Sequence, residues 1–401
     1  MKVISPSVTA PKGFKAAGIH AGLKKSTKKD LAVIISEVPA VAGAVFTLNK
    51  MAAAPVWVCR ENLKSKTARA VIVNSGSANA CTGERGLNDA WKMAALTAKE
   101  IGCAEREVFV SSTGVIGAYL NMEKMEAGIK DVVKKASSDG GKDAALAIMT
   151  TDTTAKEYAV TIEIDGIEVT VAGIAKGSGM IAPNMATMLS YVTTDVNISK
   201  TLLQKAVKNA ADESFNLAIV DGDTSTNDTL VVLANGMSGN KQITREQDRD
   251  YKTFYEALKT VCTELAKMMV KDGEGATKFI QIEVQGAQTS EEARVAATTV
   301  AKSPLVKTAF FGQDANWGRM VCALGYSGIN LIPERLNVWI DNVHIFKNGT
   351  GLDADEKILA EKMAEHEIHV IIDLGRGDAT AKVWTCDFSY DYVKINGSYR
   401  S

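Results

Sequence analysis

The chain has 401 residues, of which 46% are hydrophobic and 23% charged, with a formal net charge of -1. That is the balance of an ordinary globular protein with length enough for one large or two medium cores, and it lacks the basic excess of a general nucleic-acid binder. No apolar run reaches the length of a transmembrane helix and residues 1–15 lack a signal-peptide stretch, so the expectation is a cytoplasmic protein with no membrane partner.

In chain order, runs rich in β-branched residues predict strands at 70–73 and 108–111, and helical periodicity covers 87–101 and 122–136. Residues 158–171 alternate about Asp165-Gly166, a strong hairpin signal. A strand-like run follows at 188–192. A helix over 199–214 opens on Ser199 as N-cap. Strands are expected at 217–220 and 229–233, joined by a polar, turn-rich loop at 223–228. A helix at 245–271, a strand at 279–284 and a helix at 290–301 come next. Residues 336–346 then alternate about Asp341-Asn342. His366 and His369 lie where a helical pattern passes into the strand-like run 368–372, which puts one on a helix end and the other in a strand. Strands do not alternate strictly with helices, hairpins are frequent, and no low-complexity linker interrupts the chain. The pattern predicts an α/β (α+β) fold: mixed or antiparallel sheets layered with outer helices in a compact two-domain unit.

The six cysteines contain no C-x-x-C pair, so free buried thiols are expected rather than disulfides or structural zinc. The four histidines offer no third ligand beside His366 and His369, so no metal site is predicted. Neither a G-x-G-x-x-G dinucleotide fingerprint nor a phosphate loop is present.

The segment 176–189, KGSGMIAPNMATML, joins a glycine-rich loop to Thr187 just ahead of a strand. A threonine hydroxyl is a weak nucleophile that needs a base. An N-terminal threonine carries its own, because its α-amino group titrates near neutrality. A threonine in mid-chain acquires that amine only if its hydroxyl attacks the preceding carbonyl and the bond is cut. Gly177, Gly179 and Pro183 make an unusual backbone plausible there. Thr113-Gly114, in SSTGVIG at 111–117, follows a strand and could supply a hydroxyl and an amide to an oxyanion. Residue chemistry alone favours the plain readings: Thr187 as a structural threonine at a strand start, and Thr113-Gly114 as a turn.

Five further stretches run in order with SSTGVIG at 111–117: GFKAAGIHAG at 13–22, VFTLN at 45–49, AAPV at 53–56, NSGSANACTG at 74–83 and DANWGR at 314–319. Together with 176–189 they resemble the ornithine acetyltransferase family, whose members act in arginine biosynthesis. Ser77 departs from the pattern, which usually carries asparagine there. The resemblance implies a self-cleaving enzyme with an N-terminal-nucleophile-like site, cut between Ala186 and Thr187 into chains 1–186 and 187–401 that share one fold. It implies Thr187 as nucleophile and Thr113 and Gly114 as oxyanion hole. It also implies Thr153, Lys176, Glu274, Asn396 and Ser401 as substrate contacts beside Thr187. Lys176 would meet a carboxylate or acyl oxygen, Glu274 an ammonium group, and Asn396 and Ser401 would orient the substrate. The implied reaction is ping-pong transfer of acetyl from N2-acetylornithine to glutamate through an acetyl-Thr187 ester. No metal or cofactor is required, and acetyl-CoA is a possible second donor. The implied assembly is an α2β2 heterotetramer. Two alternatives stand beside this one: an N-terminal-nucleophile amidohydrolase or aminopeptidase of similar fold, which such relatives run with serine, and a non-catalytic α/β binding protein.

Overall fold

The computed structural model describes residues 1–182 and 188–398. The first ten strands in chain order are β1 (Lys2–Val3), β2 (Phe14–Ile19), β3 (Leu31–Phe46), β4 (Ala68–Ser77), β5 (Val108–Val115), β6 (Lys156–Ile164), β7 (Ile167–Lys176), β8 (Leu189–Thr194), β9 (Ala218–Ile219) and β10 (Thr229–Ala234). All but β9 form one mixed sheet in the order β1-β6-β7-β8-β10-β3-β4-β5, with β2 paired to the long, bent β3. The other strands are β11 (Phe279–Ala287), β12 (Asn337–Ile340), β13 (Val343–Lys347), β14 (Thr350–Gly351), β15 (Glu367–Asp373) and β16 (Ala379–Cys386). With β9 they make a second mixed sheet, β14-β13-β12-β15-β11-β16-β9.

The helices lie outside the sheets, as expected. α1 (Ala54–Asn62), α2 (Gly83–Ile101), α3 (Met122–Lys134) and α4 (Gly141–Ala147) cover β2–β5. α5 (Lys200–Asp212) packs on β3, and α6 (Arg249–Lys271) packs on β6 and β7. α6 buries Phe254, Leu258, Val261 and Leu265 at helical spacing, and it also touches β9 and β16, so it is the wall common to both sheets. α7 (Ser290–Lys302), α8 (Pro304–Phe311) and α9 (Trp317–Gly325) sit with the second sheet. α10 (Glu356–Ala364) precedes β15, and α11 (Tyr390–Ser398) is the last described element, with no buried residue of its own.

Both predicted hairpins form. The Asp165-Gly166 turn has φ of 53° and 74° at its two residues, the left-handed pair that matches strand twist. Ser199 stands at the N-cap of α5, but its side chain makes no capping bond; its amide instead donates to Ile243. His366 lies between α10 and β15 rather than on a helix end, while His369 is in β15 as expected. The expected strand at 217–220 shrinks to β9 because a 3-10 turn takes Phe215–Leu217. All six cysteines are free, yet only Cys59, Cys262 and Cys386 are buried; Cys81 and Cys322 are exposed. Among the described residues no helix is long and apolar enough to cross a membrane.

β8 lies between antiparallel β7 and parallel β10. Residues before and after position 187 therefore share the middle of one sheet, held by ladder hydrogen bonds that a break in the chain would leave in place. Because α6 is the common wall, Phe254→Ala should cost about 3–5 kcal/mol of unfolding free energy, read by denaturant titration.

Candidate active site

β7 ends at Lys176, β5 ends in Thr113-Gly114-Val115, and α6 leads through Asp272 to Glu274. These ends meet at a cavity of about 150 Å³ whose lining includes Thr113, Gly114, Thr150, Thr151, Lys176, Gly179, Met180, Ser225, Asn227, Glu274 and Asn396. Thr113-Gly114, Lys176, Glu274 and Asn396 come from four separate stretches of sequence, so only the tertiary fold brings them together. Ala186, Thr187 and Ser401 lie outside the described residues. Thr153 is placed differently: it is exposed, its amide donates to Asp272 at 3.0 Å and its hydroxyl donates to the same carboxylate. Thr150 and Thr151 take its place at the wall.

Lys176 is buried, and its ammonium donates to Thr113 Oγ1 at 3.5 Å. A hydroxyl that accepts from a lysine keeps its own O–H to donate elsewhere. Burial pushes the Lys176 ammonium below its ordinary value, opposed chiefly by the Asp152 carboxylate 4.0 Å away. Gly114 has φ +129°, and a Cβ there would come within 2.5 Å of the Gly76 backbone on the neighbouring strand. Glycine is thus required for the turn that presents this amide beside Thr113. At Gly179 a Cβ would sit 2.3 Å from Glu274 Oε2, so a side chain there would push that carboxylate aside. The Glu274 amide also donates to Ser178 at 2.7 Å, and Asn396 Nδ2 donates to Glu274 Oε2 at 2.9 Å. The carboxylate is in this way fixed between the glycine loop and the C-terminal helix.

Below the cavity runs a buried ion cluster that sequence reading missed. Asp152 accepts from Lys156 Nζ at 2.6 Å, the Gly177 amide at 2.7 Å and the Thr150 amide at 3.0 Å. Lys156 also pairs with Asp272 at 2.5 Å. Burial works against the charge on Asp152, yet Lys176 and Lys156 outweigh it and hold the carboxyl well below the usual carboxylate range. Its signal in the sequence is slight, since a lysine at the start of a strand reads as solvated. The loop between β9 and β10 was likewise expected as a plain connector, yet Ser225, Thr226, Asn227 and Asp228 are all buried. Asn227 Nδ2 donates to the Ala78 and Ser112 carbonyls at 2.6 and 2.8 Å, tying that loop to the strand that carries Thr113. Ser77, the departure noted above, is accommodated: its hydroxyl donates to Ala118 at 2.8 Å.

The ArgJ family model matches residues 15–401. The chain belongs to the ArgJ family. It is 48% identical over 405 residues to the arginine biosynthesis bifunctional protein ArgJ of Caldanaerobacter subterraneus subsp. tengcongensis, covering all of both chains. It is equally 48% identical to the protein of that name from Bacillus subtilis, over 99% of this chain and 97% of that one. Among solved structures, the crystal structure of the arginine biosynthesis bifunctional protein argJ from Bacillus halodurans is similar, with 42% identity and a TM-score of 0.51, covering 52% of this chain and 98% of that chain. Membership makes this chain an acetyltransferase of arginine biosynthesis.

Lys156→Met, by leaving Asp152 and Asp272 without their shared cation, should cost about 3–5 kcal/mol in denaturant unfolding. Asp152 has a second consequence. Its carboxyl is held below its unfolded value near pH 4, so its contribution to stability is present above that pH and is lost as pH falls below it. A pH series of melting temperatures should therefore show a shallower acid decline in Asp152→Asn than in the wild type.

Proposed function

We propose that this ArgJ chain cuts itself between Ala186 and Thr187, and that the new N-terminal threonine carries acetyl from N2-acetylornithine to glutamate. The observation that carries the reading is the convergence of Thr113, Gly114, Lys176, Glu274 and Asn396 on one cavity at the end of β7. Lys176 is paired in register with Leu189, and position 187 is only two residues, about 7 Å of extended chain, from that pairing. The crystallised Bacillus halodurans chain is about half as long as this one, the length expected of one cleavage product.

In the cut, Thr187 Oγ bonds to the Ala186 carbonyl carbon, the C–N bond breaks, and the hydroxyl proton ends on the nitrogen. Water then hydrolyses the ester, leaving a carboxylate on Ala186 and a free amine on Thr187. In the transfer, that amine takes the hydroxyl proton as Oγ attacks the acetyl carbon. The oxyanion that forms is stabilised by the Thr113 hydroxyl and the Gly114 amide. The bond to the ornithine nitrogen breaks, the nitrogen takes the proton, and an acetyl ester remains. Glutamate's α-amine then attacks the ester and frees Thr187.

Lys176 would meet the substrate's carboxylate or acyl oxygen and Glu274 its ammonium. Asn396 holds Glu274 in orientation. Thr153, by its bonds to Asp272, would act through the position of the loop 150–154, and Ser401 would orient the substrate. The two substrates share an α-amino-acid frame, so one cavity serves both half-reactions. The reaction calls for no metal or cofactor, and acetyl-CoA would be a second donor in keeping with the word bifunctional in the relatives' names. We further propose a cytoplasmic α2β2 heterotetramer of the two cleaved chains.

Active wild-type protein should run as two fragments on a denaturing gel, with the second beginning at Thr187 by N-terminal sequencing. Thr187→Ala should remain one band and lose roughly 10⁴-fold or more of its activity. Ornithine release from acetylornithine should depend on added glutamate; equally fast release without it would identify a hydrolase.

A further inference from the structure

The loop of residues 221–228 between β9 and β10 grips both ends of the segment that contains position 187. Upstream, the Asp221 carboxylate accepts from the Met180 and Ile181 amides at 2.5 and 3.0 Å. The Val220 amide donates to the Ile181 carbonyl at 2.8 Å. Met180, at φ 56°, is a left-handed non-glycine residue and so stays in place only because its surroundings over-determine it. Downstream, the Met188 amide donates to Asp228 Oδ1 at 3.0 Å, and the Thr229 amide donates to the Met188 carbonyl at 3.0 Å. One short loop thus places a carboxylate at each end of the same segment.

The two carboxylates differ. Asp221 uses both oxygens: Oδ2 takes Met180, and Oδ1 takes Ile181 and the Asp223 amide at 3.1 Å. Asp228 is fully buried, and its Oδ2 has no hydrogen-bond partner among the described residues. A buried carboxyl with an unpaired oxygen is costly unless the oxygen meets a group that needs it. Burial drives this carboxyl well above the usual range. The groups facing it are the Met188 amide, the Lys176 ammonium from β7 and the Ser225 hydroxyl of its own loop, and all three oppose that shift. The amide it holds belongs to residue 188, and one residue up the chain, about 3.8 Å along, is residue 187.

We propose that Asp228 is a positioning residue and counter-charge for the amine that cleavage creates on Thr187, with Asp221 fixing the other end of the scissile segment. This rests on the cut at Ala186–Thr187 proposed above. Before the cut, residue 187 offers only a neutral amide. After it, the Asp228 carboxylate pairs with the new amine whenever that amine is protonated, and the deprotonated amine is the base. During transfer the same carboxylate stabilises the ammonium that forms each time the amine accepts the Thr187 hydroxyl proton.

Asp228→Asn keeps an acceptor for the Met188 amide and removes the charge. It should melt like the wild type and cut itself roughly tenfold or more slowly, because the site loses its alignment for the attack. In the cut enzyme the acid limb of kcat/KM should move down by about one pH unit, since an ammonium without its carboxylate releases its proton more readily. Asp228→Glu should restore both cutting and the limb. If Asp228→Asn folds but stays whole, restoration of cutting by Asp228→Glu supports the proposal and failure to restore it overturns it. Asp221→Asn should slow cutting without moving the limb. An Asp228→Asn protein that cuts at the wild-type rate, or that slows while its acid limb stays in place, overturns the assignment. Wild-type protein that is never cut at Thr187 sinks instead the cleavage reading on which it rests.

Discussion

A single buried carboxylate, Asp152, joins the parts on which this site depends. It accepts from the amide that follows Lys176, faces the Lys176 ammonium, and shares Lys156 with Asp272 at the end of α6. Those contacts connect the end of β7 to the end of the helix that walls both sheets. Burying such charges is expensive, and the cluster survives because each is paired and hydrogen-bonded. What it provides is placement: Lys176 is held beside Thr113, and the turn after α6 is held so that Glu274 comes up against Gly179. The same lock explains why Thr153, expected at the substrate, has its polar groups committed to Asp272 instead.

The fold solves a second constraint. A strand in the middle of a sheet begins directly after the position proposed to be cut. β8 meets this by pairing with β7 on one side and β10 on the other, so the ladder rather than the covalent chain holds the two halves together. The loop between β9 and β10 adds the local grip, with Asp221 and Asp228 at opposite ends of the segment. The proposed acyl transfer needs donors that do not move when charge develops, and Thr113, Gly114 and Lys176 stand at strand ends.

Much of this was legible in the sequence. The Asp165-Gly166 hairpin, the long α6 periodicity and the mixing of strands with helices all formed as local pattern predicts, because each rests on contacts among neighbours in the chain. Local boundaries slipped where a tertiary contact competed. Ser199 spends its amide on Ile243 and leaves its hydroxyl out of the cap, and β9 is shortened by a 3-10 turn. The buried ion cluster left almost no trace, since burial of Lys156 is a property of the packed α6 and β6 and not of the residues beside it.

By itself, then, the order of motifs along the chain determined the family, and with it five of the residues at the cavity, because residue types and spacing are properties of the linear chain. Only the tertiary structure decided which of them meet. It brought Thr113, Lys176, Glu274 and Asn396 within one wall and set Thr153 aside against Asp272. It also turned a polar connector into the loop that grips the segment around position 187. The physical reason is that a buried charge or an unpaired carboxylate oxygen acquires its meaning from what surrounds it, and those surroundings come from residues far apart in sequence.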